Sequence, residues 1–241
     1  MSGTAVVIGV GARNGLGAAL AARFAREGLK VVIVGRTAAR LRLVADDIRA
    51  AGGNAETIVA DITQPDDVAS LFASPGVAET LELVVYNAGS NARIPSLEIT
   101  ATDFERMWRQ NALGGLLVGQ QAIRAMRPRK KGTLIFTGAT ASLRSRSPFV
   151  AFAAAKAALR AVAQGLAREF GPEGIHVAHV VIDGIISGDF AKQTFPEFVK
   201  TRGEGGLLEL DEIAETYWGL HRQGRSAWTH ELDLRPFSET F

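Results

Sequence analysis

Cysteine is absent from the 241-residue sequence, which excludes disulfide bonds, thiolate catalysis and zinc sites built from cysteine. Tyrosine is scarce, because only Tyr86 and Tyr217 are present. Tyr86 ends a strand-like segment and Tyr217 lies beside Trp218 in a helix-like one, so both are interpreted as core residues. Histidine forms no metal-binding pattern, because His176 and His179 are three residues apart in a predicted strand and face opposite sides. No metal site is expected.

An excess of charge of one sign is also missing, since 27 basic and 25 acidic residues give a formal net charge of +2. The densest basic group lies between a helix-like and a strand-like segment, at Arg127, Arg129, Lys130 and Lys131. It is interpreted as a solvated turn rather than a nucleic-acid-binding patch. No apolar stretch reaches the roughly 18–20 residues that a membrane span needs without charges, and the N-terminus lacks signal-peptide features. We therefore expect a cytoplasmic protein that binds neither nucleic acid nor membrane.

What the sequence does contain is a regular alternation of short apolar segments and amphipathic ones. Strands rich in β-branched residues are predicted at Thr4–Val10, Lys30–Val34 and Ala55–Ala60, with helices at Ala18–Glu27 and Ala38–Ala51 between them. The pattern continues with strands at Leu81–Tyr86, Thr133–Thr137, His176–Ile182 and Glu231–Leu234 and with helices at Pro65–Leu71, Thr102–Met126, Phe149–Phe170 and Asp211–Arg222. This order predicts an α/β fold, a Rossmann-type doubly wound parallel sheet of about seven strands with helices on both faces. We expect one domain over residues 1–241, with a glycine-containing substrate-side loop around residues 185–210.

A glycine-rich turn follows the first predicted strand and opens a helix. It contains Gly11, Gly15 and Gly17 in the spacing Gly-x3-Gly-x-Gly. Glycines at such a turn let backbone N–H groups approach a pyrophosphate, and the helix N-terminus adds a partial positive charge. Nucleotide binding is therefore favoured over a plain tight turn.

Arg36 follows the second predicted strand, where an NAD site would carry an acidic residue for the ribose hydroxyls. A guanidinium at this position suits a 2′-phosphate, and Arg13 inside the glycine turn could join it. The alternative is that both arginines are simply exposed near a surface turn. The charge pattern favours NADP(H) over NAD(H) as the cofactor.

Taken together, these motifs resemble the short-chain dehydrogenase/reductase family over nearly the whole chain. Beyond the glycine turn, the resemblance rests on Asp61 after strand three, Asn87-Ala88-Gly89 after strand four, Asn111 in the next helix, and Lys156. In this family the residue like Asp61 contacts adenine, and the Asn-Ala-Gly stretch supports the nucleotide and the sheet. The residue like Asn111 holds a water molecule in a proton relay, and the residue like Lys156 binds the nicotinamide ribose and lowers the pKa of a tyrosine.

The resemblance implies a set of cofactor-binding residues spread along the chain. They are Gly11, Arg13, Asn14, Gly15, Leu16, Gly17, Arg36, Asp61, Ile62, Asn87, Ala88, Gly89, Lys156, Gly184 and Ile185. It also implies a small-molecule substrate and, through the helices that carry Asn111 and Lys156, a homodimer or homotetramer.

The acid–base tyrosine of the family is missing from its expected position. Phe152 stands four residues before Lys156, where the family has that tyrosine, and Phe149, seven residues before the lysine, does not replace it. A phenyl ring cannot transfer a proton, and a positioned acid typically contributes ~10²–10⁴-fold to the rate. The stretches FTGATASL, FAAAKAAL and IDGII resemble an atypical branch of the family. One alternative is that Phe152 is adapted to an apolar substrate, with protonation by water.

Two further positions depart from the family pattern. The family's serine falls on Ala139, with Thr140 and Ser142 close by but out of register. The Pro-Gly that follows strand six in the family is Asp183-Gly184 here. A partly buried Asp183 could act as the missing acid. Alternatively, it caps a turn or pairs with Lys156.

Two functions of different classes remain compatible with the sequence. The first is an NADP(H)-dependent oxidoreductase acting on a carbonyl or alcohol, with Asn111, Lys156 and Asp183 as catalytic candidates. The second is an NADP(H)-binding protein without redox turnover, either a sensor or an inactive subunit. Residues expected to line the substrate cleft are Arg93, Ile94, Arg144 and Arg146, of which the last two either steer an acidic substrate or are solvated loop charges.

Overall fold

The computed structural model describes residues 3–194, 196–203 and 205–239 and contains one parallel sheet of seven strands. The strands are β1 (Thr4–Ile8), β2 (Lys30–Gly35), β3 (Asn54–Val59), β4 (Leu81–Tyr86), β5 (Gly132–Thr137), β6 (Ile175–Ile182) and β7 (Glu231–Leu234). They lie in the order β3-β2-β1-β4-β5-β6-β7, and every neighbouring pair is parallel. The predicted doubly wound sheet is confirmed.

Helices cover both faces of this sheet. They are α1 (Leu16–Arg26), α2 (Ala38–Ala50), α3 (Pro65–Ala73), α4 (Ala101–Trp108), α5 (Gly114–Met126), α6 (Val150–Phe170), α7 (Asp189–Thr194), α8 (Pro196–Thr201) and α9 (Leu210–His221). Apolar side chains of α1, α2 and α9 pack on one face, and those of α3, α5 and α6 pack on the other. Strands β1, β5 and β6 are buried along their whole length, which explains their nearly continuous apolar composition.

The strand order reverses between β1 and β4. The chain winds outward from β1 through β2 to β3 and then returns to place β4 on the other side of β1. In sheets of this kind ligands bind in the crevice outside the carboxyl ends of the strands at the reversal. The loops after β1, β2, β3 and β4 all open onto this edge, so the candidate site is expected there.

Strand β1 ends at Ile8, two residues earlier than predicted, because Gly9 adopts a left-handed conformation with φ +91°. A Cβ atom at Gly9 would also lie 2.5 Å from the backbone nitrogen of Ala88, so only glycine fits. The chain leaves the sheet at this point and enters the glycine turn.

The helix predicted over Thr102–Met126 is interrupted by a π-helical segment at Arg109–Leu113, between α4 and α5. An extra residue in the turn rotates the side chains that follow it, and such segments occur frequently at functional sites. The segment contains Asn111, which is fully buried. Hydrophobic periodicity did not reveal it, because a single extra residue changes the helical pattern very little.

The segment predicted as a loop around residues 185–210 contains the two short helices α7 and α8 and a bridge between Ile186 and Leu208. Helices of six residues carry too little periodic signal to be predicted. Positions 195 and 204 of this loop, and positions 1, 2, 240 and 241 of the predicted domain, lie outside the described residues. The prediction of a single domain stays a prediction.

Among the described residues, α6 is the one helix long and apolar enough to cross a membrane, with a mean hydropathy of 1.3 over its most apolar stretch. Length and composition alone are weak evidence, because a core helix passes the same test. The helix contains Lys156 and Arg160, and it packs on the sheet through Leu159, Ala163 and Leu166.

Candidate cofactor and active site

The glycine turn holds the N-terminus of α1 tightly against the ends of β1 and β4. A Cβ atom at Gly17 would lie 2.9 Å from the carbonyl oxygen of Gly9, so the helix could not approach this closely with a larger residue. Asn87 donates from its side chain to the same carbonyl at 3.3 Å. Gly15 has no side chain to cap α1, and the N–H of Ala18 donates to the Gly15 carbonyl at 3.0 Å, which leaves the first-turn N–H groups of Leu16 and Gly17 for an anion.

A pocket of about 240 Å³ lies at the carboxyl ends of β1 to β4. It is lined by Ile8, Gly9, Val10, Gly11, Val34, Gly35, Arg36, Thr37, Arg40, Ala60, Asp61, Ile62, Asn87, Ala88, Gly89 and Gln110. The structure therefore brings together predicted residues from four different loops. Among the polar lining residues, sequence reasoning missed Thr37, Arg40 and Gln110.

Two arginines stand at the rim of this pocket. Arg36 and Arg40 are both exposed, and neither has a carboxylate within 4.0 Å in the described part of the chain. Arg40 lies in the first turn of α2, four residues after Arg36, and this spacing in the sequence was the signal that could have found it. Asp61, which lines the same pocket, is held by Thr63, whose backbone N–H and hydroxyl donate to the carboxylate at 3.0 and 2.8 Å.

Arg13 does not lie beside Arg36 in this structure, and the expectation that it joins Arg36 on a cofactor stays a prediction. Arg13 forms a two-point ion pair with Asp47 on α2, because its guanidinium fork matches the carboxylate. The guanidinium holds the pKa of Asp47 below its usual range. The pair lines a separate groove of about 650 Å³ between α1 and α2.

Other predicted cofactor residues near the turn make contacts outside the pocket. The backbone N–H and side-chain amide of Asn14 donate to Asp189 at 3.3 and 3.2 Å. Leu16 is buried in the core with its side chain on the sheet. Gly184 lies against Pro236, and the carbonyl of Ile185 accepts from Leu208 at 2.8 Å, so both residues belong to the base of the substrate-side loop.

Lys156 is buried inside the fold on α6. Its Nζ donates to the carbonyl oxygen of Thr137, at the end of β5, over 2.8 Å. Burial lowers the pKa of Lys156 from 10.5 to about 8, because an ammonium group is poorly solvated there. The Nζ atom lies 5.9 Å from the centre of the Phe152 ring. The structure thus places an aromatic ring without a hydroxyl beside the lysine.

Asn111 and Gly89 converge on this lysine. The side-chain amide of Asn111 donates to the carbonyls of Met107 and Ser90 at 2.9 and 3.1 Å. Its Oδ1 atom is buried without a hydrogen-bond partner among the described residues. A Cβ atom at Gly89 would lie 2.5 Å from this oxygen and 3.5 Å from Nζ of Lys156. A buried acceptor of this kind is costly unless a water or ligand donates to it.

Asp183 follows β6 directly and is buried, with 7% of its surface exposed. Its carboxylate accepts from the Thr140 hydroxyl at 2.5 Å and lies 3.5 Å from Arg144 and 3.7 Å from Arg235. The alternative that it pairs with Lys156 is therefore wrong, because both nearby cations are arginines. Its partners lie far away in the sequence, so no local pattern predicted them.

Ala139 begins the short 3₁₀ turn Thr140–Ser142, and Ser142 is already engaged. Its hydroxyl accepts from the backbone N–H of Ala139 at 3.1 Å and lies 3.4 Å from Nε2 of His179. Nδ1 of His179 lies 2.9 Å from Glu231, which also binds Arg160 at 2.6 and 2.7 Å. This buried series of hydrogen bonds was not predicted from the sequence.

The two tyrosines lie in the core, as predicted. Tyr86 donates its hydroxyl to the carbonyl of Gln110 at 2.7 Å, and the Tyr217 hydroxyl is 2.9 Å from that of Thr137. Burial raises the pKa of both phenols. Neither hydroxyl is placed to replace the family's acid–base tyrosine.

The loops that carry the other predicted cleft residues meet each other. The backbone N–H of Ile94 donates to the carbonyl of Pro148 at 3.0 Å. The guanidinium of Arg93 lies over the ring of Phe149, 5.8 Å from its centre, and Arg146 is exposed. Within the described ranges, no group of three histidine or acidic side chains is arranged to hold a metal ion.

Comparison with known proteins identifies the family. The sequence model of the family described as short chain dehydrogenase matches residues 5–197, and the chain belongs to this family. It is 35% identical to a short-chain dehydrogenase from Rhodopseudomonas palustris, with a TM-score of 0.83 over 98% of this chain and 99% of that one. It is 32% identical over 184 residues to glucose 1-dehydrogenase from Gluconobacter oxydans (strain 621H), which covers 75% of this chain and 69% of that protein. A metagenomic short-chain oxidoreductase solved in complex with NADP shares the fold, with 24% identity and a TM-score of 0.81 over 98% of each chain.

Proposed function

We propose that this protein is an NADP(H)-dependent oxidoreductase that interconverts a carbonyl compound and an alcohol. The observation that carries this proposal is one continuous edge of the sheet. There, the pocket with Arg36 and Asp61 is connected through Gly89 to the buried Lys156. Membership of the short chain dehydrogenase family supports the reaction class. The metagenomic relative solved with NADP supports the choice of cofactor.

The residues at this edge fit a nicotinamide dinucleotide. Asp61 and Ile62 would hold the adenosine. Gly11, Gly15, Leu16 and Gly17 would offer backbone to the pyrophosphate beside Asn14, whose own backbone N–H is bonded to Asp189. Lys156 would bind the nicotinamide ribose, with Asn87, Ala88, Gly89, Gly184 and Ile185 around it, and the unpartnered Oδ1 of Asn111 would accept from a relay water. When bound, the cofactor supplies or accepts a hydride.

The preference for NADP(H) over NAD(H) is assigned to Arg36 and Arg40. Both are exposed at the rim of the adenosine side of the pocket and have no carboxylate partner among the described residues. A charge-assisted hydrogen bond contributes roughly 1.5–3 kcal/mol, which is about 10–100-fold in affinity. An acidic residue in place of Arg36 would instead favour the ribose hydroxyls of NAD(H).

Calorimetric titration with NADPH and with NADH tests this assignment. The wild-type protein is expected to bind NADPH more tightly, and Arg36→Asp is expected to weaken NADPH binding about 100-fold or more while sparing NADH. Arg42→Ala, an exposed arginine on α2 outside the pocket, is the matched control. Equal affinities in the wild-type protein, or a loss as large in Arg42→Ala, would remove the NADP(H) assignment.

We further infer a degenerate catalytic centre, as in an atypical branch of the family. Phe152 and Ala139 occupy the positions of the family's tyrosine and serine. In the structure Ser142 is bonded to His179, so its hydroxyl is not free to replace the family's serine. The same observation favours a second candidate function, an NADP(H)-binding protein without redox turnover. Turnover in a panel of carbonyl compounds and alcohols separates the two, because the second candidate binds cofactor and turns over none of them.

A homo-oligomer formed through the helices near Asn111 and Lys156 is part of the same proposal. Phe104 and Trp108 lie one turn apart on α4 and are 42% and 40% exposed, so together they offer an apolar surface to a second copy. Light scattering on the purified protein measures the oligomeric state. One domain over the whole chain and a cytoplasmic location stay predictions.

A further inference from the structure

The substrate-side loop is bonded directly to the glycine turn. Asp189, the first residue of α7, accepts from the backbone N–H and the side-chain amide of Asn14 at 3.3 and 3.2 Å. The backbone N–H of Asp189 donates in return to the carbonyl oxygen of Asn14 at 2.9 Å. Three hydrogen bonds therefore join two residues that are 175 positions apart in the sequence. We call this the Asn14–Asp189 contact.

Gly188 allows the loop to come this close to the turn. A Cβ atom at Gly188 would lie 3.0 Å from the carbonyl oxygen of Asn14 and 3.8 Å from Cα of Gly15. Gly188 is itself buried, although the residues on either side of it are partly exposed. A larger residue would push α7 away from the turn, so the backbone as well as the two side chains favours the contact.

The Asp189 carboxylate lies as an anion at the start of α1. Gly15 is the N-cap of this helix, so Asn14 directly precedes it. The N–H groups and the dipole at a helix N-terminus favour negative charge. In the described part of the chain, no lysine or arginine forms an ion pair with this carboxylate. The charge of Asp189 is therefore stabilised by the same end of α1 that would bind the pyrophosphate.

The loop is anchored to the fold just before this contact. The N–H of Ser187 donates to the carbonyl of Leu208 at 2.8 Å, and the N–H of Leu208 donates to the carbonyl of Ile185 at 2.8 Å. This pairing holds residues 185–187, whereas α7 begins two residues later at Asp189. The helix can therefore leave the glycine turn while the pairing with Leu208 stays intact.

We propose that Asp189 competes with the cofactor pyrophosphate for the glycine turn, and this rests on the proposed function. Carboxylate and phosphate oxygens are both acceptors, so they compete for the backbone N–H of Asn14, and the two anions repel each other. Binding of NADP(H) therefore displaces Asp189 and releases α7 from the turn. The Asn14–Asp189 contact lowers the apparent affinity for the cofactor and couples the cofactor site to the position of the substrate-side loop.

Calorimetric titration with NADPH measures this competition. Removing a competitor raises the apparent affinity by the factor with which the competitor occupied the site. Asp189→Asn is expected to bind NADPH about 10-fold more tightly than the wild-type protein, because a charge-assisted hydrogen bond and a repulsion are lost. Asp189→Ala, which lacks both acceptor oxygens, should bind NADPH at least as tightly as Asp189→Asn.

Glu197→Gln is the matched control for the change in charge. Glu197 is an exposed acid in the first turn of α8, in the same loop, and it pairs with Lys200 at 2.9 Å. The substitution removes one negative charge from the loop and leaves the Asn14–Asp189 contact intact. Its affinity for NADPH should equal that of the wild-type protein.

Amide hydrogen exchange followed by NMR reports the position of α7 without reference to turnover. In the wild-type protein, saturation with NADPH should speed exchange of the Lys192 amide, which is bonded to Gly188 at the start of α7, several-fold. The amides of Ser187 and Leu208 are the internal reference and should not change. In Asp189→Asn the Lys192 amide should exchange faster than in the wild-type protein even without NADPH. A residue that only shapes the turn gives the opposite result, with weaker NADPH binding in Asp189→Asn.

The proposal is overturned if Asp189→Asn binds NADPH no more tightly than the wild-type protein, or if Glu197→Gln gains as much affinity. It is also overturned if NADPH slows exchange of the Lys192 amide or leaves it unchanged. Absence of NADPH binding in every variant and in the wild-type protein is a different result, because it removes the proposed function itself and the competition with it.

Discussion

Replacing Lys156 by methionine should stabilise the fold at neutral pH. Burial lowers the pKa of Lys156 from 10.5 to about 8, so the folded state binds its proton less tightly than the unfolded state does. This difference destabilises the folded protein by about 3 kcal/mol at pH 7, because a tenfold change in proton affinity is about 1.4 kcal/mol. Methionine has a similar length and removes the cost. Loss of the hydrogen bond to Thr137 offsets roughly 1–3 kcal/mol of this stability gain.

The pH dependence of this stability gain is a sharper test of its origin than the size of the gain. Between about pH 8 and pH 10.5 the unfolded state holds a proton that the folded state has lost, so wild-type stability rises with pH there. The penalty from Lys156 falls from about 3 kcal/mol at pH 7 to about 1 kcal/mol at pH 9.5. The stability advantage of Lys156→Met should therefore shrink by about 2 kcal/mol over this range, whereas the lost hydrogen bond is a constant offset.

Thermal unfolding followed by circular dichroism at pH 7 and pH 9.5 measures the difference. For a chain of this size the Tm difference between Lys156→Met and wild type should move by about 4–8 °C. Lys131→Met is the control, because this lysine is 65% exposed and pairs with Glu82 at the surface. A Tm difference that is the same at both pH values for Lys156→Met would refute the assignment of a buried, destabilised ammonium group.

Two further predictions concern side chains near the site. Burial lowers the pKa of His179 to about 4. The wild-type protein therefore loses up to about 3 kcal/mol of stability as pH falls from about 6.5 through 4, because the unfolded state takes up a proton first. His179→Gln should remove this loss and flatten the acid side of the stability curve. Glutamine can still donate to Glu231, and an unchanged slope in thermal unfolding between pH 6.5 and pH 4.5 would contradict this origin. Phe152→Tyr combined with Ala139→Ser should raise carbonyl reduction by ~10²-fold or more, because a hydroxyl is restored beside Lys156. No gain in NADPH oxidation, in a variant that still binds NADPH, would show that the ring position is not the acid position.

The fold could be predicted because its signal is continuous along the chain. Strands such as Ile175–Ile182 are buried on both faces and are therefore apolar at nearly every position, and the helices between them carry regular periodicity. The turn at Gly11 and the strand ends at Arg36 and Asp61 also follow from this order, because parallel strands place their carboxyl ends on one edge. The pocket contains all three.

The partners of individual side chains could not be predicted in the same way. Arg13 binds Asp47, and Asp183 binds Thr140 and Arg144, all through contacts that span 34 or more residues. Which of several charged side chains closes such a contact depends on distances of a few ångströms, and these are set by how helices dock on the sheet. The same reason explains why the series of hydrogen bonds from Ser142 through His179 to Glu231 was not predicted.

A crystal structure of the protein grown with NADP⁺ tests the central claim most directly. We expect adenosine in the pocket beside Asp61, with the 2′-phosphate within hydrogen-bonding distance of Arg36 and the nicotinamide ribose on Nζ of Lys156. NADP⁺ bound elsewhere, for instance in the groove beside the Arg13–Asp47 pair, or a site without cofactor at saturating concentration, would contradict it.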